Sequence, residues 1–139
     1  MMSTPAGRSL PIALVVEDEA LLRILAVEVV EEAGFTAIEA RDADEAVVLL
    51  ESRTDITLLF TDINMPGSMD GLKLAHAVRD RWPPIKILVV SGNQRLHSSD
   101  LPTDSCFVEK PYQASALVDE LRSMFSSPES RASQSNAGE

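Results

Sequence analysis

Three carboxylates and one lysine stand where apolar runs of this chain give out. Glu17 and Asp18 follow Pro11-Ile12-Ala13-Leu14-Val15-Val16, and Asp62 follows Ile56-Thr57-Leu58-Leu59-Phe60-Thr61. Ser91 follows Ile85-Lys86-Ile87-Leu88-Val89-Val90, and Lys110 follows Cys106-Phe107-Val108-Glu109. If these runs are parallel strands, their polar successors emerge at one end of one sheet and converge. Acids brought that close repel one another unless a hard cation and a lysine hold them together. Such a set suits Mg²⁺-assisted phosphorylation of an aspartate.

The elements that would position these groups are legible in the hydropathy pattern. Strand-like and helix-like segments alternate, as they do in a parallel sheet covered on both faces. The first strand is expected over 12–16 and a helix over about 19–33, with the stripe Leu22, Leu25, Ala26, Val29, Ala33 and a stop at Gly34. A second strand over 35–40 leads to Asp42, an N-cap with Glu45 three residues on, and to the stripe Ala43, Ala46, Val47, Leu50. The third strand, 56–61, delivers Asp62 into a loop; Asp70 then caps a helix with the stripe Leu74, Ala77, Val78, Trp82, ended by Pro83-Pro84. Trp82 reads as packing at that helix end.

After the fourth strand, 85–90, the interval from Gly92 to Pro102 is polar and offers one short helical stretch at most. A short fifth strand, 105–108, precedes Lys110-Pro111. The last helix, about 114–125, is expected to bury Ala114, Leu117, Val118, Leu121 and Phe125. The expected organisation is a flexible segment over 1–10, one domain over 11–125 and a mobile Ser-, Ala-, Gln- and Asn-rich tail over 126–139. No internal repeat is visible, and no output domain is expected within these residues.

Bulk properties exclude several classes. At 139 residues the chain can bury one real core. It is 45% hydrophobic but only 4% aromatic, so that core is aliphatic. The net charge is −10 with no long basic run, which lacks the phosphate-neutralising patch of a nucleic-acid binder. Cys106 is the only cysteine, so no internal disulfide or zinc cluster is expected; in a core strand it reads as a buried, inert thiol. No apolar run approaches a membrane span and the N-terminus lacks the stretch of a signal peptide, so a cytoplasmic protein is expected. His76 and His97 have no partner at metal-binding spacing.

Ligand sites of parallel α/β sheets lie beyond the carboxyl ends of the strands, where strand order reverses. With Asp62 as nucleophile, its carboxylate attacks a phosphoryl group in line and becomes an acyl phosphate. Catalysis of such a transfer is mainly positioning and electrostatics. Mg²⁺ held by Asp18, Asp62 and a backbone carbonyl would neutralise one phosphoryl oxygen, Lys110 a second as a point charge, and the Ser91 hydroxyl would donate to the third. Each residue has an ordinary alternative taken singly. An aspartate after a strand is usually a turn former or cap, Glu17-Asp18 could simply start a helix, Ser91 could be a loop serine and Lys110 a solvated lysine. Their joint placement at four strand ends is what favours the site.

These residues resemble the receiver domain of two-component response regulators over about 11–125. The markers are the Glu17-Asp18 pair, Asp62 followed by Met65-Pro66 and Met69-Asp70-Gly71, then Ser91-Gly92 and Lys110-Pro111. The resemblance implies a doubly wound, flavodoxin-like α/β fold with a five-stranded parallel sheet in the order 2-1-3-4-5 and helices on both faces. It implies Asp62 as phosphoacceptor, Asp18 as direct Mg²⁺ ligand, Glu17 as the acid reaching the metal through water, and the Asn64 backbone carbonyl as a further ligand. Ser91 would follow the phosphoryl group on activation, with Lys110 as the partner lysine and Pro111 after a cis peptide. Phe107 matches the aromatic that rotates inward with Ser91; without a hydroxyl it would switch by packing alone, or be a plain core residue. The phosphodonor would be a histidine kinase or histidine phosphotransfer protein, and the chain itself a monomer or weak dimer. It would be no enzyme toward other substrates, acting as a stand-alone receiver that switches protein–protein interactions.

Two departures from the family pattern stand out. The loop after Asp62 is about one residue longer than usual, a cheap change in a surface loop. The span from Ser91 to Lys110 is about three residues shorter and polar, which alters the region that in this family relays the signal. Other classes fit less well. An aspartyl-nucleophile phosphatase of the haloacid-dehalogenase type needs a second acid where Asn64 stands. A flavodoxin-like FMN binder needs aromatic platforms and a hydroxyl-rich phosphate loop that are lacking. A phosphorylation-independent binding module would keep an acid cluster at a stability cost with no ligand to offset it.

Overall fold

The computed structural model describes residues 10–63, 70–92 and 98–125. Five parallel strands form one sheet in the order β2-β1-β3-β4-β5. They are β1 (Ile12–Val16), β2 (Thr36–Ala40), β3 (Ile56–Asp62), β4 (Lys86–Ser91) and β5 (Ser105–Glu109), and the helices are α1 (Ala20–Glu32), α2 (Ala43–Ser52), α3 (Gly71–Arg81) and α4 (Ala114–Met124). Alternate residues of the central strands feed two cores. Leu14, Val16, Leu59, Ile87 and Val89 pack on Ala46 and Leu50 of α2 and Leu74 and Val78 of α3. Ala13, Val15, Leu58, Phe60, Leu88 and Val90 pack on Ala26, Val29 and Val30 of α1 and Leu117 and Leu121 of α4. Because β1, β3 and β4 are covered on both faces, they must read as nearly unbroken apolar runs.

Local signals set the helix starts. Asp42 accepts the Glu45 amide at 2.8 Å while the Glu45 carboxylate accepts the Arg41 amide at 2.7 Å, a reciprocal cap on α2. Asp70 accepts the Lys73 amide at 2.9 Å and caps α3. Gly34 closes α1 at φ 105°, the left-handed region that favours glycine. Trp82 packs at the end of α3 against the first core, with the Arg81 guanidinium 4.3 Å over its ring.

Several expectations are corrected. The α1 stripe is rotated: Leu25 is 45% exposed, joining exposed Leu21 and Ile24, and Val30 takes the core position instead. In α4, Ala114 is exposed and Met124 is buried; Phe125 is half-buried, edge-on to Phe35 at 5.0 Å. Cys106 is not a buried core thiol. It packs partly buried at the margin of the second core, with its Sγ 3.4 Å from Glu120 Oε2, because β5 is an edge strand flanked on one side only.

Between β4 and β5 the described residues hold one short 3₁₀ turn, Ser98–Asp100, and no α-helix. Side chains of α3 hold this connection. His76 Nε2 is 2.7 Å from the Asp100 carbonyl oxygen, and Arg79 donates to the carbonyls of Thr103, Asp104, Pro83 and Ile85. Asn64, Met65, Pro66, Met69, His97 and the tail over 126–139 lie outside the described residues, so the expectations placed on them are not described structurally. Among the described residues no helix is long and apolar enough to cross a membrane.

Candidate functional site

The polar residues that follow the strands meet at the carboxyl edge of the sheet, above β1 and β3, where strand order reverses. Glu17 leaves β1 with its amide bonded to the Ala40 carbonyl at the end of β2, so the turn into α1 begins in sheet geometry. Asp62 is the last residue of β3, Ser91 the last of β4, and Lys110 follows β5 with its amide on the Ser91 carbonyl at 2.9 Å. The Lys110–Pro111 peptide is cis.

Glu17, Asp62 and Ser91 are buried, and Asp18 is exposed at the rim. Lys110 Nζ donates to Asp62 Oδ2 at 2.9 Å and lies 3.8 Å from Glu17 Oε1. A carboxylate oxygen from each of Glu17, Asp18 and Asp62 lies within 4.8 Å of the other two. That donor set, all carboxylate oxygen, fits a hard divalent cation and not a soft one. The electrostatics agree with the fit. Burial, and then the nearby Asp62 charge, push the Glu17 carboxyl up to about 7 against the pull of the Glu19 amide and Lys110. Burial opposes the charge on Lys110, but Asp62 and Glu17 outweigh it and hold the ammonium above its ordinary value. The cluster thus carries more negative charge than one lysine can balance.

Close packing positions the nucleophile candidate. The Ile63 amide bonds the Val90 carbonyl at 3.1 Å, and the Gly71 amide bonds the Ile63 carbonyl at 2.8 Å. A side chain at Gly71 would run into the Asp62 carbonyl, so the Asp70-Gly71 pair combines a helix cap with a close backbone approach. Thr61, fully buried, donates to the Asp62 carbonyl at 2.9 Å. Phe107 is half-buried and, like Leu101, packs against the first core.

The structure also draws in residues that the sequence pattern did not single out. Arg23 of α1 donates to the Glu17 carbonyl and to Glu39 of β2; the available signal was a lone base inside Leu21-Leu22-Arg23-Ile24-Leu25. Tyr112, whose hydroxyl is pushed up by burial, lines a cavity of about 610 Å³ with Leu22, Leu25, Asp62 and Lys110. The acidic cluster therefore opens into a largely apolar groove along α1.

Comparison with known proteins agrees with this geometry. Residues 13–122 match the family model of the response regulator receiver domain. The chain is 32% identical over 109 residues to the nitrogen assimilation regulatory protein NtrX of Azorhizobium caulinodans, covering 76% of this chain and 24% of that one. It is 32% identical over 114 residues to the response regulator receiver protein CpdR of Brucella abortus, covering 80% and 93%. The chain thus spans about a quarter of one relative and nearly all of the other. Among solved structures, a response regulator receiver protein from Sinorhizobium medicae superposes with a TM-score of 0.77 at 26% identity, covering 84% and 94%. The receiver domain of the hybrid histidine kinase CckA does so at 0.69 and 28%, covering 83% and 99%. With the strand order, the acids at its reversal and a family match over most of its length, the chain belongs to the response regulator receiver domains of two-component signalling.

Proposed function

We propose that residues 11–125 form a phosphoacceptor unit that takes a phosphoryl group from a histidine onto Asp62. The observation that carries this reading is the Asp62 carboxylate held by Lys110 at 2.9 Å inside a three-acid cluster. An Asp62 carboxylate oxygen attacks phosphorus as the phosphorus–nitrogen bond to the donor imidazole breaks, and the imidazole leaves as it regains a proton. Lys110, already aimed at Asp62, balances charge on the transferred group. Ser91, at the end of the neighbouring strand, would donate its hydroxyl to the group once attached and move toward it, letting Phe107 repack into the space under Leu101. Glu17, Asp18, Asp62 and the Asn64 carbonyl would hold Mg²⁺. When bound, the cation supplies neutralisation of the acids and of one phosphoryl oxygen.

The exposed Leu21, Ile24 and Leu25 beside the groove suit a helical phosphodonor, a histidine kinase or phosphotransfer protein, docking next to Asp62. Phosphorylation then shifts a balance between two packings and alters binding to a further protein. In this reading the domain acts through protein contacts, with turnover limited to its own acyl phosphate.

Intact-protein mass spectrometry after incubation with Mg²⁺ and acetyl phosphate tests the reading, with Asp62→Asn and a metal-free control alongside. One added phosphoryl group that needs both Mg²⁺ and Asp62 is the expected result. No adduct, together with no binding of the beryllofluoride analogue, would overturn it.

A further inference from the structure

The β1–α1 turn that carries two of the three acids is held from outside the site. The peptide group before Glu17 is tied to the sheet by the Glu17 amide on the Ala40 carbonyl at 3.1 Å. The peptide group after Glu17, which leads into Asp18, is tied by Arg23, whose Nη1 donates to the Glu17 carbonyl at 2.9 Å. Inside the turn, the Glu19 amide donates to Glu17 Oε2 at 3.2 Å. Asp18 itself is exposed, and among the described residues its carboxylate has no hydrogen-bond partner. With no such partner, its reach toward the other acids depends on where its backbone starts the side chain, and Arg23 holds the peptide that leads into it.

Arg23 is in turn anchored. Its Nε donates to Glu39 Oε1 at 3.1 Å, from the strand on the far side of β1, and the Arg23 side chain is only 16% exposed. A guanidinium can make both contacts in one planar geometry, whereas an ammonium on a shorter stem cannot span them equally. The clamp thus joins α1, the β1 terminus and β2 into one frame around the acids.

We propose that Arg23 is a positioning residue for the divalent-cation site, with Glu39 as its anchor, acting through the Glu17 carbonyl to aim Asp18. This rests on the reading of Glu17, Asp18 and Asp62 as a cation site. The sign of its effect separates it from simple electrostatics. A cation beside an acidic cluster repels an incoming divalent ion, so as a mere charge Arg23 would weaken metal binding and its removal would strengthen it. As a clamp it holds a ligand in place, and its removal weakens binding. Partners of metal ligands typically change affinity by about tenfold or more when removed.

Mn²⁺ binding followed by loss of the free-ion paramagnetic resonance signal, with Mg²⁺ in competition, reads this directly on the full chain. Arg23→Met is expected to bind both ions about tenfold more weakly than wild type. Arg23→Lys, which keeps the charge and loses the two-pronged contact, should fall between the two. Glu39→Gln, which removes the anchoring charge but not the Glu17 contact, should lose about threefold, a fraction of the full second-layer effect. Far-UV circular dichroism checks that each variant is folded; should Arg23→Met fail, Arg23→Lys decides the question, since it leaves the charge unchanged and plain electrostatics predicts no loss for it. Unchanged or tighter binding in the folded variants would overturn the clamp while leaving the cation site standing. No competition by Mg²⁺ in wild type would overturn the cation site and the clamp with it.

Discussion

In the absence of a divalent cation, the protein should lose stability as pH rises from about 5 to about 8, and Glu17 should be the main cause. The folded chain holds the Glu17 carboxyl at about 7 against an ordinary 4.5, chiefly through burial and then through the Asp62 charge. Between those values the folded state keeps a proton that the unfolded state has released, so stability falls as pH rises and levels off above about 7. At about 1.4 kcal/mol per tenfold change in acidity, the full displacement corresponds to about 3 kcal/mol. The groove that Glu17 lines admits water, which screens its charge and reduces the effect to about 2 kcal/mol. The assay is urea unfolding with a chelator present, at pH 5, 6, 7 and 8. With a slope of about 2 kcal/mol per molar urea, the wild-type midpoint should fall by about 1 M across the series. Glu17→Gln stays neutral throughout and should lack this component, so the difference between the two proteins isolates it from the histidines and from general repulsion at net charge −10. Mg²⁺ competes with the Glu17 proton, and its stabilising effect should grow over the same interval. Parallel curves for wild type and Glu17→Gln would refute the account of the acid cluster.

Three further outcomes are expected. Gly71→Ala places a methyl group against the Asp62 carbonyl and should cost about 2 kcal/mol in urea unfolding, with phosphorylation by acetyl phosphate slowed more than stability alone explains. Arg79→Ala removes hydrogen bonds to two carbonyls of the β4–β5 connection and two of the turn between α3 and β4, and should cost about 2 kcal/mol and speed amide exchange in β5 more than in β1. Leu50→Ala, at a position 1% exposed in the core between the sheet and α2, should cost about 3 kcal/mol and leave phosphorylation of the folded fraction unchanged.

The groups at the strand ends were readable in one dimension because a doubly covered parallel strand has to be apolar along its length. The first polar residue after Val16, Phe60-Thr61, Val90 and Glu109 therefore marks the edge where such sheets bind ligands. The caps Asp42 and Asp70 were readable for a similar reason, since each satisfies amides only a few residues away. Periodicity was weaker at α1, where nearly every residue from Leu21 to Val30 is apolar. With so little contrast between faces, the pattern could not say that Leu25 faces solvent and Val30 the core. The same excess leaves Leu21, Ile24 and Leu25 exposed beside the acids.

By itself, the sequence determined the alternation of strand and helix, the register of the acids with the strand ends, and the polar, helix-poor interval before β5. Each depends on neighbours along the chain. Other features depend on groups far apart in sequence. Lys110 meets Asp62 across 48 positions, and the contacts of Arg79 with Thr103 and Asp104 span 24 and 25. Cys106 reads as a core residue until β5 is seen to be the outermost strand. Arg23 is a lone base in an apolar helix until the fold carries Glu17 and Glu39 to its two ends, because hydrogen bonds of that kind follow the packing of α1 on the sheet and leave no spacing to read.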